Sequence, residues 1–143
     1  MAKNLNFGKY AIVNSSTYRL ESEPDWFWKI KPATTETEIE VSKFLATETR
    51  KTENGFVTKV PYVTLELAIK EISLTFSETN IPGEDGSPIL PKDAAPEIVE
   101  AVVRQMPKVM VIELWEAVGA ACPGFGPTES KRTIVFENGE QKK

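Results

Sequence analysis

The stretch Asn80–Asp93 carries three prolines and two glycines, and it limits the fold more than any other part of the chain. Proline fixes φ and lacks a backbone N–H, so no helix interior or central strand can run through this stretch. Regular structure must therefore stop before it and restart after it. Glu84-Asp85-Gly86 is a turn signal. A calcium loop would need further acidic ligands at alternate positions and a later glutamate, which are missing. A hairpin about Asp85-Gly86 would lose a ladder donor at Pro82 and another at Pro88.

The join separates one apolar segment from two amphipathic ones. Before it, Leu65, Ala68, Ile69, Ile72 and Phe76 fit one helix face, with Leu67 and Leu74 widening it. Ile72, Leu74 and Phe76 also alternate as a strand would, so residues 71–77 stay open. Segment length favours a helix over Thr64–Phe76, buried on more than one side. After the join, Asp93 can cap a helix with Pro96 near its start. Ile98, Val99, Val102, Val103 and Met106 form its stripe. Pro107 ends that helix and opens the next, where Val111, Leu114, Trp115, Val118 and Cys122 recur at helical spacing. Pro123-Gly124-Phe125-Gly126-Pro127 stops it. With almost no loop at Met106-Pro107, the two helices form a tight corner.

The N-terminal part reads as short strands. Lys9–Val13 is rich in strand formers, and Thr17–Glu21 alternates, with Tyr18 and Leu20 on one face. Trp26–Lys31 alternates again, with Trp26, Trp28 and Ile30 together, until Pro32. Thr35–Glu38 fits a capping box opening a helix over Thr34–Thr49, with Val41, Phe44, Leu45 and Glu48 at helical spacing and Ile39 nearby. Lys51–Lys59 reads as an exposed loop. Arg132–Phe136 reads as a short strand or as a segment that orders against a partner. The fold class is α+β: a small N-terminal antiparallel β-hairpin or sheet over 8–32, then a bundle of about four helices over 34–122. Residues 1–127 form a single globular domain and 128–143 a polar C-terminal tail.

Composition narrows the chemistry. The 143 residues include no histidine and one cysteine, Cys122. The Ser-His and Cys-His nucleophile pairs and every His-containing zinc site are therefore excluded. A lysine base or a carboxylate pair would remain to an enzyme. The net charge of −4 and sparse basic pairs argue against nucleic acid, which requires a basic face. No segment approaches the roughly 20 apolar residues of a membrane span, and no secretory signal opens the chain. The expected location is cytoplasmic. Glu36, Glu38 and Glu40 read as a solvated helix start rather than a metal site. Trp26 and Trp28 read as cover for the core rather than as a stacking platform for bases or sugars. No catalytic, cofactor-binding or metal-binding residue is expected.

The order of elements resembles the tail assembly chaperones of long-tailed bacteriophages. The resemblance runs over residues 20–122. It lies in Trp26-Phe27-Trp28-Lys29-Ile30-Lys31-Pro32-Ala33-Thr34-Thr35-Glu36, an aromatic strand leading to a helix. It continues in Glu71–Thr79, the turn Gly83–Pro91, and the helices Ile98–Met106 and Pro107–Ala121. The resemblance implies a non-catalytic, cytoplasmic factor that binds and shields the tape-measure protein before tail-tube subunits polymerise round it. Its partners would be the tape-measure and tail-tube proteins, and a homo-oligomer is compatible with it. If the chain is an interaction protein, the surface to expect contacts on centres on the turn Pro82–Pro91 and the corner at Pro107, with any uncovered part of the Val111–Val118 stripe, and takes in Trp26, Trp28, Pro82, Asp85, Pro88, Val111 and Trp115. Two other readings stand beside it. One is another small phage structural or host-interaction protein, such as a tail or connector component or a host-defence inhibitor. The other is a small carboxylate-using hydrolase.

Overall fold

The computed structural model describes residues 15–48, 50–52, 55–57, 61–128, 130 and 132–137. Its first elements are strands β1 (Ser16–Arg19) and β2 (Phe27–Ile30), paired antiparallel with Tyr18 opposite Trp28 and Ser16 opposite Ile30. Tyr18, Trp28 and Ile30 are all buried, as the period-two pattern requires of one face of a sheet. The strand expected at Lys9–Val13 lies outside the described residues.

Helix α1 (Thr35–Glu48) begins one position earlier in its capping than the Thr35–Glu38 box implied. The Thr34 hydroxyl accepts from the Thr37 N–H at 3.3 Å, and the Thr37 hydroxyl accepts from the Thr34 N–H at 3.1 Å. A threonine replaces the glutamate of the usual reciprocal box. α1 buries Val41, while Ile39 and Leu45 remain 43% and 38% exposed. The expected loop after it contains a two-stranded hairpin, β3 (Arg50–Thr52) and β4 (Gly55–Val57).

Helix α2 (Pro61–Leu74) ends two residues short of Phe76, and strand β5 (Phe76–Thr79) follows at once. The Thr75 hydroxyl bonds back to the Glu71 carbonyl at 2.7 Å, and the Thr75 carbonyl accepts from the Lys31 N–H at 2.8 Å. β5 pairs antiparallel with β2, giving a three-stranded sheet in the order β1-β2-β5, with Ile30 opposite Phe76. Phe76 thus satisfied the helical spacing but is held by the sheet.

Helices α3 (Pro96–Val103) and α4 (Lys108–Ala121) complete the bundle. Ala95, not Asp93, is the residue before α3, and Pro96 takes the first turn. Asp93 instead adopts φ 57°, and its N–H donates to the Ser77 carbonyl at 2.7 Å, serving the outer edge of β5. α2 packs against α1, α3 and α4, the central place expected for the segment before the join. Between helices and sheet, Trp28 meets Phe76 edge-on, ring centres 4.9 Å apart. Ile30, Ile72, Leu90, Val99, Val103, Leu114 and Val118 close round them. Each such side chain contributes about 1.5–3 kcal/mol by leaving water.

The chain beyond Pro127 does not behave as a detached tail as far as it is described. Phe136 is buried and bridges to Tyr18, and the Glu137 N–H donates to the Thr17 carbonyl at 2.7 Å. Residues 132–137 therefore cover the free edge of β1, so the domain extends past 127. Among the described residues no helix is long and apolar enough to cross a membrane.

Candidate functional site

The prolines of the join do not prevent a hairpin; they shape one. Ile81 and Leu90, both buried, hold its two ends in the core. The cross-strand donors are Gly83 to the Ser87 carbonyl (2.7 Å) and Ile89 to the Ile81 carbonyl (2.8 Å), so Pro82 and Pro88 face each other without needing an N–H. Gly86 at φ +86° makes the reversal, a conformation glycine adopts without strain. Asp85 Oδ1 accepts from the Ser87 N–H (3.0 Å) and hydroxyl (2.7 Å). Those bonds hold the Asp85 carboxyl below its ordinary value.

Asn80 ties this hairpin to the turn before β2. Its amide donates to the Asp25 carbonyl at 2.9 Å, and its Oδ1 accepts from the Phe27 N–H at 2.8 Å. Trp26 is thereby fixed beside the hairpin. The opposite wall is the α3–α4 corner. Arg104 holds α3 to α2 through a bidentate pair with Glu66, at 2.7 and 2.6 Å. Met106 donates to the Val103 carbonyl, and Pro107 opens α4 with no side-chain cap.

Between the two walls lies an open cleft of about 710 Å³. Trp26, Ile81, Asp85, Pro88 and Ile89 line one side; Val102, Met106, Pro107 and Met110 line the other. The turn and the corner, separate features of the sequence, are thus two walls of one site. Trp26, Asp85 and Pro88 fall on it, and Pro82 is exposed in the same hairpin. Trp28 (0% exposed), Val111 (5%) and Trp115 (5%) do not belong to any free surface. The sheet and α2 cover them, because a helical stripe on α4 has a core-facing side to fill first.

Ile89 falls within the turn Pro82–Pro91 where contacts were expected, whereas sequence reasoning missed Val102, Met106 and Met110 as cleft residues. A signal existed for the first two. The α3 stripe has two adjacent apolar residues per turn, wider than one contact can cover. Val99 and Val103 take the core half (both 0% exposed), while Val102 and Met106 take the cleft half and Ile98 is 50% exposed.

A second constellation consists of buried carboxylates. Glu71 Oε1 accepts from Trp115 Nε1 at 2.7 Å and from the Gly126 N–H at 2.8 Å. Burial pushes its carboxyl above the ordinary value, and these two bonds oppose the shift. Glu113 Oε2 accepts from the Tyr18 hydroxyl at 2.5 Å and the Glu21 N–H at 2.7 Å. Burial, then the Glu113 carboxylate, pushes the Tyr18 hydroxyl far above the usual phenol range. Arg132 pairs with Glu116. Burial would lower the Arg132 guanidinium, but the carboxylates of Glu116, Glu113 and Glu21 outweigh it.

Each of these carboxylates holds a structural donor. The cleft beside Glu116, about 280 Å³, contains that acid and Arg132 as its only charged lining residues among the described residues. Among the described residues no group of three or more His, Cys, Asp or Glu could hold a metal ion. Compared with protein-family models, curated proteins and solved structures, the chain matches none.

Proposed function

We propose that this chain is a non-catalytic interaction protein of the phage tail-assembly chaperone kind, acting in the cytoplasm of the infected cell. Its task is to bind and shield the tape-measure protein until tail-tube subunits enclose it. The single observation that carries the reading is the open cleft between the Pro82–Pro88 hairpin and the Pro107 corner. Its walls are apolar, and two of its residues are methionines, whose flexible thioethers adapt to differing apolar surfaces. An elongated partner with exposed apolar helix faces is prone to aggregate, and temporary cover of those faces prevents it.

The carboxylates support this reading against a hydrolase. General acid–base work needs carboxyl groups that face a substrate. Glu71 and Glu113 are instead held by Trp115, Gly126, Tyr18 and the Glu21 backbone.

The test is co-expression with the tape-measure and tail-tube proteins encoded beside the gene. The expected result is a soluble complex with the tape-measure protein that is lost when tails are complete. Finding the chain in stoichiometric amounts in purified virions would replace this reading with that of a structural tail or connector component. A gene neighbourhood without tail proteins would remove it.

A further inference from the structure

The chemistry of the cleft narrows its occupant beyond "a protein". Asp85 is, among the described residues, its one charged lining residue, and the Ser87 hydrogen bonds stabilise its ionised form. Glu84 next to it, and Asp25 next to Trp26, are exposed. Among the described residues none of these three carboxylates forms a salt bridge; the Arg19 guanidinium reaches the Asp25 carbonyl at 3.2 Å but pairs its charge with Glu137. At the other wall, outside the cleft lining, stand the cations Lys108, exposed beside Pro107, and Arg104, which pairs with Glu66. An apolar trough with an acidic side complements an apolar segment flanked by basic residues.

The backbone around the cleft offers no ladder to an extended strand. Strand addition needs a row of free N–H and C=O groups. Pro82 and Pro88 have no N–H, and the Gly83 and Ile89 donors already bond across the hairpin. The outer edge of β5 is engaged by Asp93 through the Ser77 carbonyl. Recognition must run through side chains, as when an amphipathic helix lies in a groove.

A second copy of this chain fits poorly. Among the described residues the helix with two exposed large apolar side chains is α1, through Ile39 and Leu45, while α3 and α4 expose one each, Ile98 and Val109. α1 brings Glu36, Glu38 and Glu40, with Lys43 paired to Glu40. Like charges at the acidic side would oppose its entry.

We infer that the cleft is a docking groove for an amphipathic helix of a partner, with apolar residues at i, i+3 or i+4 and i+7 and lysine or arginine alongside. Asp85 reads the basic flank, while Val102, Met106 and Met110 take the apolar side chains. The inference deepens the interaction-protein reading and rests on it.

The test uses the full chain and three synthetic peptides with the same leucine spacing: one flanked by lysines, one flanked by glutamates, and one flanked by lysines with a central proline. The lysine helix is expected to bind, with chemical-shift changes at Trp26, Val102, Met106 and Met110. The glutamate helix should bind at least about tenfold more weakly and the proline peptide not at all. Asp85→Asn keeps the side-chain oxygen that Ser87 uses and removes only the charge. It should weaken the lysine peptide about two- to fivefold and reduce its salt dependence, with the melting temperature unchanged. Met110→Glu should abolish binding in a chain whose circular dichroism matches the parent.

Equal binding of the three peptides, shifts mapping outside the cleft, or an Asp85→Asn variant with unchanged preference would each overturn the inference. A tape-measure protein that binds a Met110→Glu chain normally would also overturn it, leaving the chaperone reading intact. A lysine helix seated in the cleft while the tape-measure protein fails to bind would support the groove and remove the chaperone reading.

Discussion

Glu71 is the buried group whose replacement separates two roles, acceptor and charge. Its Oε1 satisfies Trp115 Nε1 and the Gly126 N–H, linking α2, α4 and the loop after α4. Glu71→Ala leaves both donors buried without a partner, at about 1–3 kcal/mol each, so about 2–6 kcal/mol in all. Glu71→Gln retains an oxygen acceptor and should stay within about 1 kcal/mol of the parent near pH 5. The pH dependence then isolates the charge. Burial raises the folded-state value above the ordinary 4.5, so the folded state holds the proton more tightly than the unfolded state. The stabilisation this gives is complete below pH 4.5 and lost as pH rises through the folded value. Glutamine undergoes no such loss, so Glu71→Gln should gain on the parent as pH rises above 4.5. Urea denaturation followed by tryptophan fluorescence measures this. With a slope of about 2 kcal/mol per molar, Glu71→Ala should shift the midpoint down by about 1–3 M. Equal losses for alanine and glutamine would refute the acceptor role. A Gln-minus-Glu difference that is flat with pH, or that falls as pH rises, would refute the burial argument.

Other substitutions test the loops, the C-terminal segment and the corner. A Cβ on Gly126, at φ +86°, would lie 2.5 Å from Gly119 Cα; Gly126→Ala should therefore cost about 3 kcal/mol or more, against about 1–2 for Gly86→Ala, which has the same φ but nothing within 4 Å. Comparing their thermal midpoints checks the difference. Arg132→Ala removes the guanidinium from Glu116, but the Arg132 side chain is 26% exposed; the loss in urea should be about 1–3 kcal/mol, below the 3–5 of a fully buried pair. Tyr18→Phe should cost only about 1 kcal/mol in the same assay, because the Glu21 N–H still serves Glu113. Hydrogen exchange read by mass spectrometry should be faster for the amides of 106–110 than for those of 114–118.

Much of the architecture follows from local rules visible in the chain. Alternation at Tyr18, Trp28 and Ile30 selected the buried sheet face, and proline placement set the α3–α4 corner. The helix ends were less legible. Phe76 stands four residues after Ile72 and so fits the helix; what removes it is pairing with Ile30, a partner 46 positions away. Asp93 has the right chemistry for an N-cap, but at φ 57° and with its N–H bonded to the Ser77 carbonyl it sits two residues before Ala95, the position that precedes α3. The cleft was legible only in halves. Its hairpin and its corner each announce themselves through proline and glycine, yet their meeting depends on β5, whose first residue, Phe76, segment length placed at the end of a helix. The burial of Val111 and Trp115 was hidden for a related reason, since a helical stripe does not say which neighbour covers it. The C-terminal segment was placed outside the domain because its polar residues conceal one buried aromatic, Phe136.

The polar bonds of α4 are unevenly placed, and that distribution bears on binding. Glu113 and Glu116 connect its middle to β1 and the C-terminal segment, and Trp115 connects it to Glu71. Its first turn has no side-chain cap, Val109 is 74% exposed, and Met110 faces the cleft. The end of α3 beside it is fixed by Arg104 and Glu66, an exposed pair worth little on its own. Movement of the corner therefore disturbs apolar contacts between adaptable side chains and breaks none of the buried hydrogen bonds of Glu71 or Glu113. A groove built this way can alter its width to suit different helix faces while the sheet and α2 stay fixed. Under the proposed chaperone reading, covering successive, non-identical stretches of one elongated partner would call for that combination of a rigid base and an adjustable wall.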